Sequence, residues 1–67
     1  MSNKVKIAID AMGGENAPKK IIDGINISLR SNQENFFYLY GQEDLLKKEV
    51  SKSKLLVQNC EIINTKD

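Results

Sequence analysis

The chain has 67 residues, with 10 Lys plus Arg against 9 Asp plus Glu, a net charge of +1, one cysteine and no histidine. That length makes at most one small domain, and the near-neutral charge gives no electrostatic case for nucleic acid as a partner. Cys60 alone excludes an internal disulfide and fits a reducing cytosol, and the lack of histidine or a second cysteine leaves no seed for a metal site.

The first ten residues, MSNKVKIAID, lack the apolar core and small-residue cleavage site of a signal peptide. No apolar run approaches the roughly 20 residues that a membrane helix needs. Val5, Ile7 and Ile9 alternate with Lys6, Ala8 and Asp10, which predicts a first strand. The stretch AMGGENA breaks it. From Pro18 the period becomes helical, with Ile21, Ile22, Ile25 and Leu29 on one face. Pro18 suits the first turn of such a helix, where its missing N–H is not needed. Gly24 inside it costs roughly 1 kcal/mol against Ala, which predicts close packing on the sheet as its reason. A polar turn follows at Ser31–Asn35. Phe36 to Tyr40, FFYLY, is a continuous apolar run and predicts a buried second strand. Glu43 to about Ser53 reads as a second helix, with Leu46 and Val50 inward and Asp44, Lys47 and Lys48 outward. Leu55 to Val57 fits either a last helical turn or the start of a strand. Cys60 to Asn64 is the expected third strand.

Strand-helix-strand-helix-strand predicts an α/β fold, the start of a Rossmann-like parallel sheet with right-handed crossovers. Such a sheet calls for helices on both faces, and two helices leave three strands only partly covered with both edges open. The expectation is that residues 1–67 form the N-terminal part of a single larger α/β domain.

Ligands of open parallel sheets bind beyond the carboxyl ends of the strands, where Asp10 to Ala17 is expected to lie. Gly13 and Gly14 lack Cβ atoms, so their amides can approach a ligand closely. The next helix points its positive end at the same place, which favours an anion. Lys19 and Lys20 in its first turn oppose the helix dipole by roughly 0.3–1 kcal/mol each, and a bound anion would offset that. On residue types alone a tight connecting turn with solvated lysines explains the stretch equally well. Neither G-x-x-x-x-G-K-[ST] nor G-x-G-x-x-G is present, so the loop is no nucleotide fingerprint.

IAIDAMGGENAPKKIIDG resembles the N-terminal signature of the bacterial phosphate acyltransferases of the PlsX type, a strand followed by D-x-M-G-G-D-x-x-P and a helix. Asp10, Met12, Gly13, Gly14 and Pro18 match it position by position. Ile22-Asp23-Gly24, Tyr40-Gly41-Gln42-Glu43 and Cys60 to Thr65 are similar to later segments of that family. Glu15 departs from the family's usual Asp by one methylene. The resemblance implies transfer of a fatty acyl group from acyl carrier protein to inorganic phosphate, giving acyl phosphate for phospholipid synthesis. It implies no cofactor, a homodimer when intact, and a cytoplasmic, membrane-peripheral enzyme. Such chemistry needs phosphate held beside a thioester carbonyl and donors for the developing oxyanion.

Within that resemblance, Gly13 and Gly14 would offer amides to phosphate or oxyanion, and Asn16 would orient a substrate oxygen. Asp10 and Glu15 would position the loop or a donor, because they would repel phosphate. Lys19 would help hold the anion, and no residue is assigned the catalytic step. Cys60 reads as a small core residue, Phe36 to Tyr40 as packing, and the lysines from Lys47 to Lys54 as a solvated helix face. Two functions compete: a piece of an acyltransferase, inactive by itself, and a self-contained α/β anion-binding or interaction module.

Overall fold

A computed structural model describes residues 5–65. The first four residues of MSNKVKIAID, read as lacking a signal peptide, and the ends of the domain assigned to residues 1–67 lie outside those residues. Among the described residues three strands and three helices follow in the order β1 (Lys6–Asp10), α1 (Lys19–Ser31), β2 (Phe36–Gly41), α2 (Glu43–Val50), α3 (Lys54–Asn59) and β3 (Cys60–Asn64). The sheet is parallel, in the order β1-β2-β3, with Ile7 opposite Phe37 and Leu39 opposite Ile62. The expected α/β arrangement with an open sheet is therefore present.

Strand alternation sorts the side chains into two sets. Ile7, Ile9, Phe37, Leu39, Cys60 and Ile62 point to one face and join Ile22, Ile25, Leu29, Leu46, Val50 and Leu56 of the helices in one core. Ile22, Leu29, Leu39 and Leu46 are fully buried, each contributing roughly 1.5–3 kcal/mol of hydrophobic stabilisation. The helical period read from Ile22, Ile25 and Leu29 thus gives the buried stripe of α1, and Leu46 with Val50 that of α2.

Three expectations need correction. All three helices pack on the same face of the sheet, so β2 alternates between burial and exposure instead of being buried throughout: Phe37 and Leu39 are covered, Tyr38 is half-buried and Tyr40 is exposed. Gly24 does not pack on the sheet. It lies on the exposed side of α1, and a Cβ there would meet nothing within 4 Å. The second helix stops at Val50, a turn at Ser51–Lys52 intervenes, and Leu55 to Val57 belong to a separate helix, α3. Ser53 starts that helix: its Oγ accepts from the Leu56 amide at 3.5 Å and donates to Asn26 Oδ1 at 3.1 Å, tying α3 to α1. The lysine-rich face is solvated as expected, with Lys47 paired to Glu43 and Lys52 to Glu49.

Candidate functional site

The loop between β1 and α1 is anchored at its start and free at its middle. The Asp10 carboxylate accepts a hydrogen bond from the Met12 amide at 3.1 Å, a local turn that fixes the exit from the strand. Ala11 is fully buried, and its amide donates to the Tyr40 carbonyl at 3.0 Å, carrying the sheet pairing one residue past the strand. Met12 lies over Gly41 at the end of β2. A Cβ on Gly41 would fall 2.5 Å from Met12 Cγ and 3.1 Å from a methyl of Leu46, so the missing side chain is the seat of the methionine. The Asp10 carboxylate is thus bonded within the chain, at the point where the loop leaves the strand. Met12 and Gly41 are a second anchor that the sequence alone did not pair, since 29 positions separate them (41 − 12).

Beyond Met12 the backbone turns outward. Gly14 has φ +89° and Asn16 φ 65°, so both occupy the left-handed region, which glycine adopts freely and asparagine tolerates. Gly13 is different. Its φ lies outside that region, and a Cβ there would sit at ordinary contact, 3.6 Å from Asp10 Oδ2. Nothing inside the fold requires glycine at position 13. The amides of Gly13, Gly14 and Glu15 have no protein partner among the described residues, and all three residues are exposed. They are donors available to a ligand.

The helix that follows begins at Lys19, with Pro18 in the capping position rather than inside the first turn, and no side chain caps it. The Lys20 amide donates to the Asn16 carbonyl at 3.1 Å and that of Ile22 to the Pro18 carbonyl at 3.0 Å. Asn16, Lys19, Lys20 and Asp23 line an open depression of about 340 Å³ at this end of the helix. Asp10, Gly13, Gly14 and Glu15 do not line it, so the predicted residues fall into two adjoining groups.

Lys19 is not the free cation that its place near the dipole suggested. Its Nζ lies 2.9 Å from Asp23 Oδ2, and that hydrogen bond, reinforced by charge attraction, raises the lysine pKa. Part of the dipole penalty is thus offset within the chain by the i,i+4 carboxylate, a spacing that the sequence displays. Lys20, in the same depression, makes no ion pair among the described residues and is the available charge.

Cys60 is half-buried, and burial pushes its thiol up to about 11. It stays protonated near neutral pH, which suits a core residue and not a nucleophile. The described residues contain no cluster of His, Cys, Asp and Glu able to hold a metal, and no helix long and apolar enough to cross a membrane.

Residues 5–67 match the model of a family described as fatty acid synthesis protein. A phosphate acyltransferase of Pelagibacter ubique is 46% identical over 67 residues, all of this chain and 20% of that protein. One from Rhodopseudomonas palustris is 40% identical over 65 residues, 97% of this chain and 19% of its own length. One from Clostridium botulinum is 40% identical over 63 residues, 94% of this chain and again 19% of the relative. The chain spans about a fifth of the length of these curated relatives. Its strand-helix-strand order and its glycine loop lie inside the matched region, and the chain belongs to the fatty acid synthesis protein family.

Proposed function

We propose that this chain supplies the phosphate-facing loop of a phosphate acyltransferase, as the opening part, residues 1–67, of a larger α/β domain. The observation that carries the reading is the row of exposed amides at Gly13, Gly14 and Glu15, without a protein partner among the described residues, in the loop that leads into a helix N-terminus with Lys20 in its first turn. Backbone donors held on a firmly anchored loop suit a tetrahedral oxyanion, and the nearby helix end adds a favourable field. In the reaction a phosphate oxygen attacks the carbonyl carbon of an acyl carrier protein thioester. The C–O bond forms, the C–S bond breaks, and the carrier leaves as its thiol. The loop's share is to hold phosphate in line for that attack and to balance its charge.

In this reading Asp10 keeps the loop in shape through the Met12 amide, Asn16 orients a substrate oxygen, and Glu15 holds the outer turn. Lys20 attracts the anion directly. Lys19 contributes second, since Asp23 already shares its charge. The reading extends to a cytoplasmic homodimer at the membrane surface; family resemblance supports this part, and the mass of the intact enzyme in solution checks the dimer.

The test is a chimera in which this chain replaces the matched segment of the Pelagibacter relative. The chimera should form acyl phosphate from acyl carrier protein thioester and phosphate, and the 67-residue chain alone should give no turnover above a no-protein control. A folded but inactive chimera, or turnover by the chain alone, would contradict the reading. The self-contained binding module has no observation that favours it.

A further inference from the structure

Gly41 ends β2, is buried, and has a φ outside the left-handed region, so its backbone would accept an alanine. What excludes a side chain there is Met12. A Cβ on Gly41 would fall 2.5 Å from Met12 Cγ and 3.0 Å from Met12 Sδ. The seat beneath the methionine is held from several sides. The Gly41 carbonyl accepts from the Thr65 amide at 2.9 Å, just past β3. Leu46 forms the other side of the seat and is fully buried, and the helix that carries it is bonded at its start to Asn64.

The peptide that joins Met12 to Gly13 carries the first of the loop's exposed amides. Upstream of it the chain is fixed: Ala11 is buried and bonded to Tyr40, and the Met12 amide is bonded to Asp10. Downstream, the amides of Gly13, Gly14 and Glu15 have no protein partner among the described residues, and two glycines leave the backbone free to rotate. The torsions of Met12 therefore decide where those amides start, and its seated side chain decides the torsions.

We propose that Met12 and Gly41 are positioning residues of the phosphate loop: the methionine, clamped over the bare end of β2, aims the Gly13 and Gly14 amides, and Gly41 keeps its place open. This role deepens the phosphate reading and rests on it. Neither side chain offers phosphate a hydrogen-bond donor, so both act through the loop. A misplacement of about 1 Å at a positioning group can slow a reaction roughly 100-fold, so a methyl group added under Met12 is felt at the phosphate although it sits on another strand.

Steady-state kinetics of the chimera described above, with phosphate and the acyl carrier protein thioester varied in turn, test it. Gly41→Ala and Met12→Ala should each raise the phosphate KM about tenfold and leave the thioester KM within about twofold. Met12→Leu keeps the volume and should hold the phosphate KM within about threefold of the parent. With Met12→Ala already present, Gly41→Ala should add no more than about twofold, because the side chain it displaces is gone. A role in stability alone has a different signature: fewer folded molecules lower the apparent kcat and leave both KM values unchanged, and that result would overturn the assignment. So would a phosphate KM raised equally by Met12→Leu and Met12→Ala, or effects that simply multiply in the double variant. If Gly41→Ala does not fold, the two Met12 variants decide. Gly13→Ala separates this role from the phosphate reading. A phosphate KM raised there but normal in Met12→Ala and Gly41→Ala refutes the positioning role alone; normal values in all three refute both.

Discussion

At the scale of single residues, the four glycines of the chain sit in four different settings, and only some could be read from sequence. Gly14 needs its positive φ, which the turn pattern after a strand suggested. Gly41 makes room for Met12, a tertiary contact invisible in one dimension. Gly41→Ala should cost about 1–3 kcal/mol through overpacking, and Met12→Ala in the same chain should recover part of it, read by urea denaturation of the chimera as a double-mutant cycle. Gly24 was misread because a glycine within an apolar helix pattern suggests contact, whereas this one faces solvent. Gly24→Ala should raise helicity and stabilise the chain by about 0.5–1 kcal/mol, seen by circular dichroism and a higher urea midpoint. Cys60 behaves as its residue type predicts. Burial disfavours the thiolate, so the folded protein holds the proton above the ordinary value of 9.0. Its alkylation rate should keep climbing with pH past 9 and level only near 11; a plateau near 9 would mean that the thiol is exposed.

At the scale of elements, the strands and the first helix were legible because their periods are unambiguous. The residues Cys60 to Asn64 are the third strand as read. The second helix was read too long, since Glu43 to Ser53 keeps a helical pattern and nothing in one dimension marks the turn at Ser51. The Ser53 hydroxyl marks the restart, but without the acidic residue three positions on that completes a capping box, the signal was weak. The start of α2 has a long-range partner: Asn64 Oδ1 at the end of β3 accepts from the Glu43 amide at 3.0 Å. This joins helix and strand at the same end of the sheet as the loop. Asn64→Ala should destabilise by about 1 kcal/mol, the usual effect of losing a cap, while Asn64→Asp should retain most of the stability. Chemical denaturation of the chimera checks both, and equal losses in the two variants would mean that the contact contributes nothing.

At the scale of the whole molecule, one packed face and one bare face decide the behaviour. The bare face was not legible because strand order and crossover direction are tertiary facts; the strand pattern specifies a parallel sheet but not which side each helix takes. A three-stranded parallel sheet covered on one side should melt broadly and self-associate as the 67-residue chain is concentrated. A sharp two-state melt of a monomer would contradict that expectation.

The central claim is that the loop after β1 faces phosphate, and Gly13 tests it most directly. The fold itself tolerates a methyl group there, since the added Cβ would rest 3.6 Å from the Asp10 carboxylate. A ligand held on the Gly13 amide would not tolerate it. The measurement is the phosphate KM of the chimera with Gly13→Ala, beside its urea midpoint. The account predicts a KM raised about tenfold or more, one lost charge-assisted contact, with stability changed by less than about 1 kcal/mol. An unchanged phosphate KM in a variant of unchanged stability would contradict it and make the loop a connector.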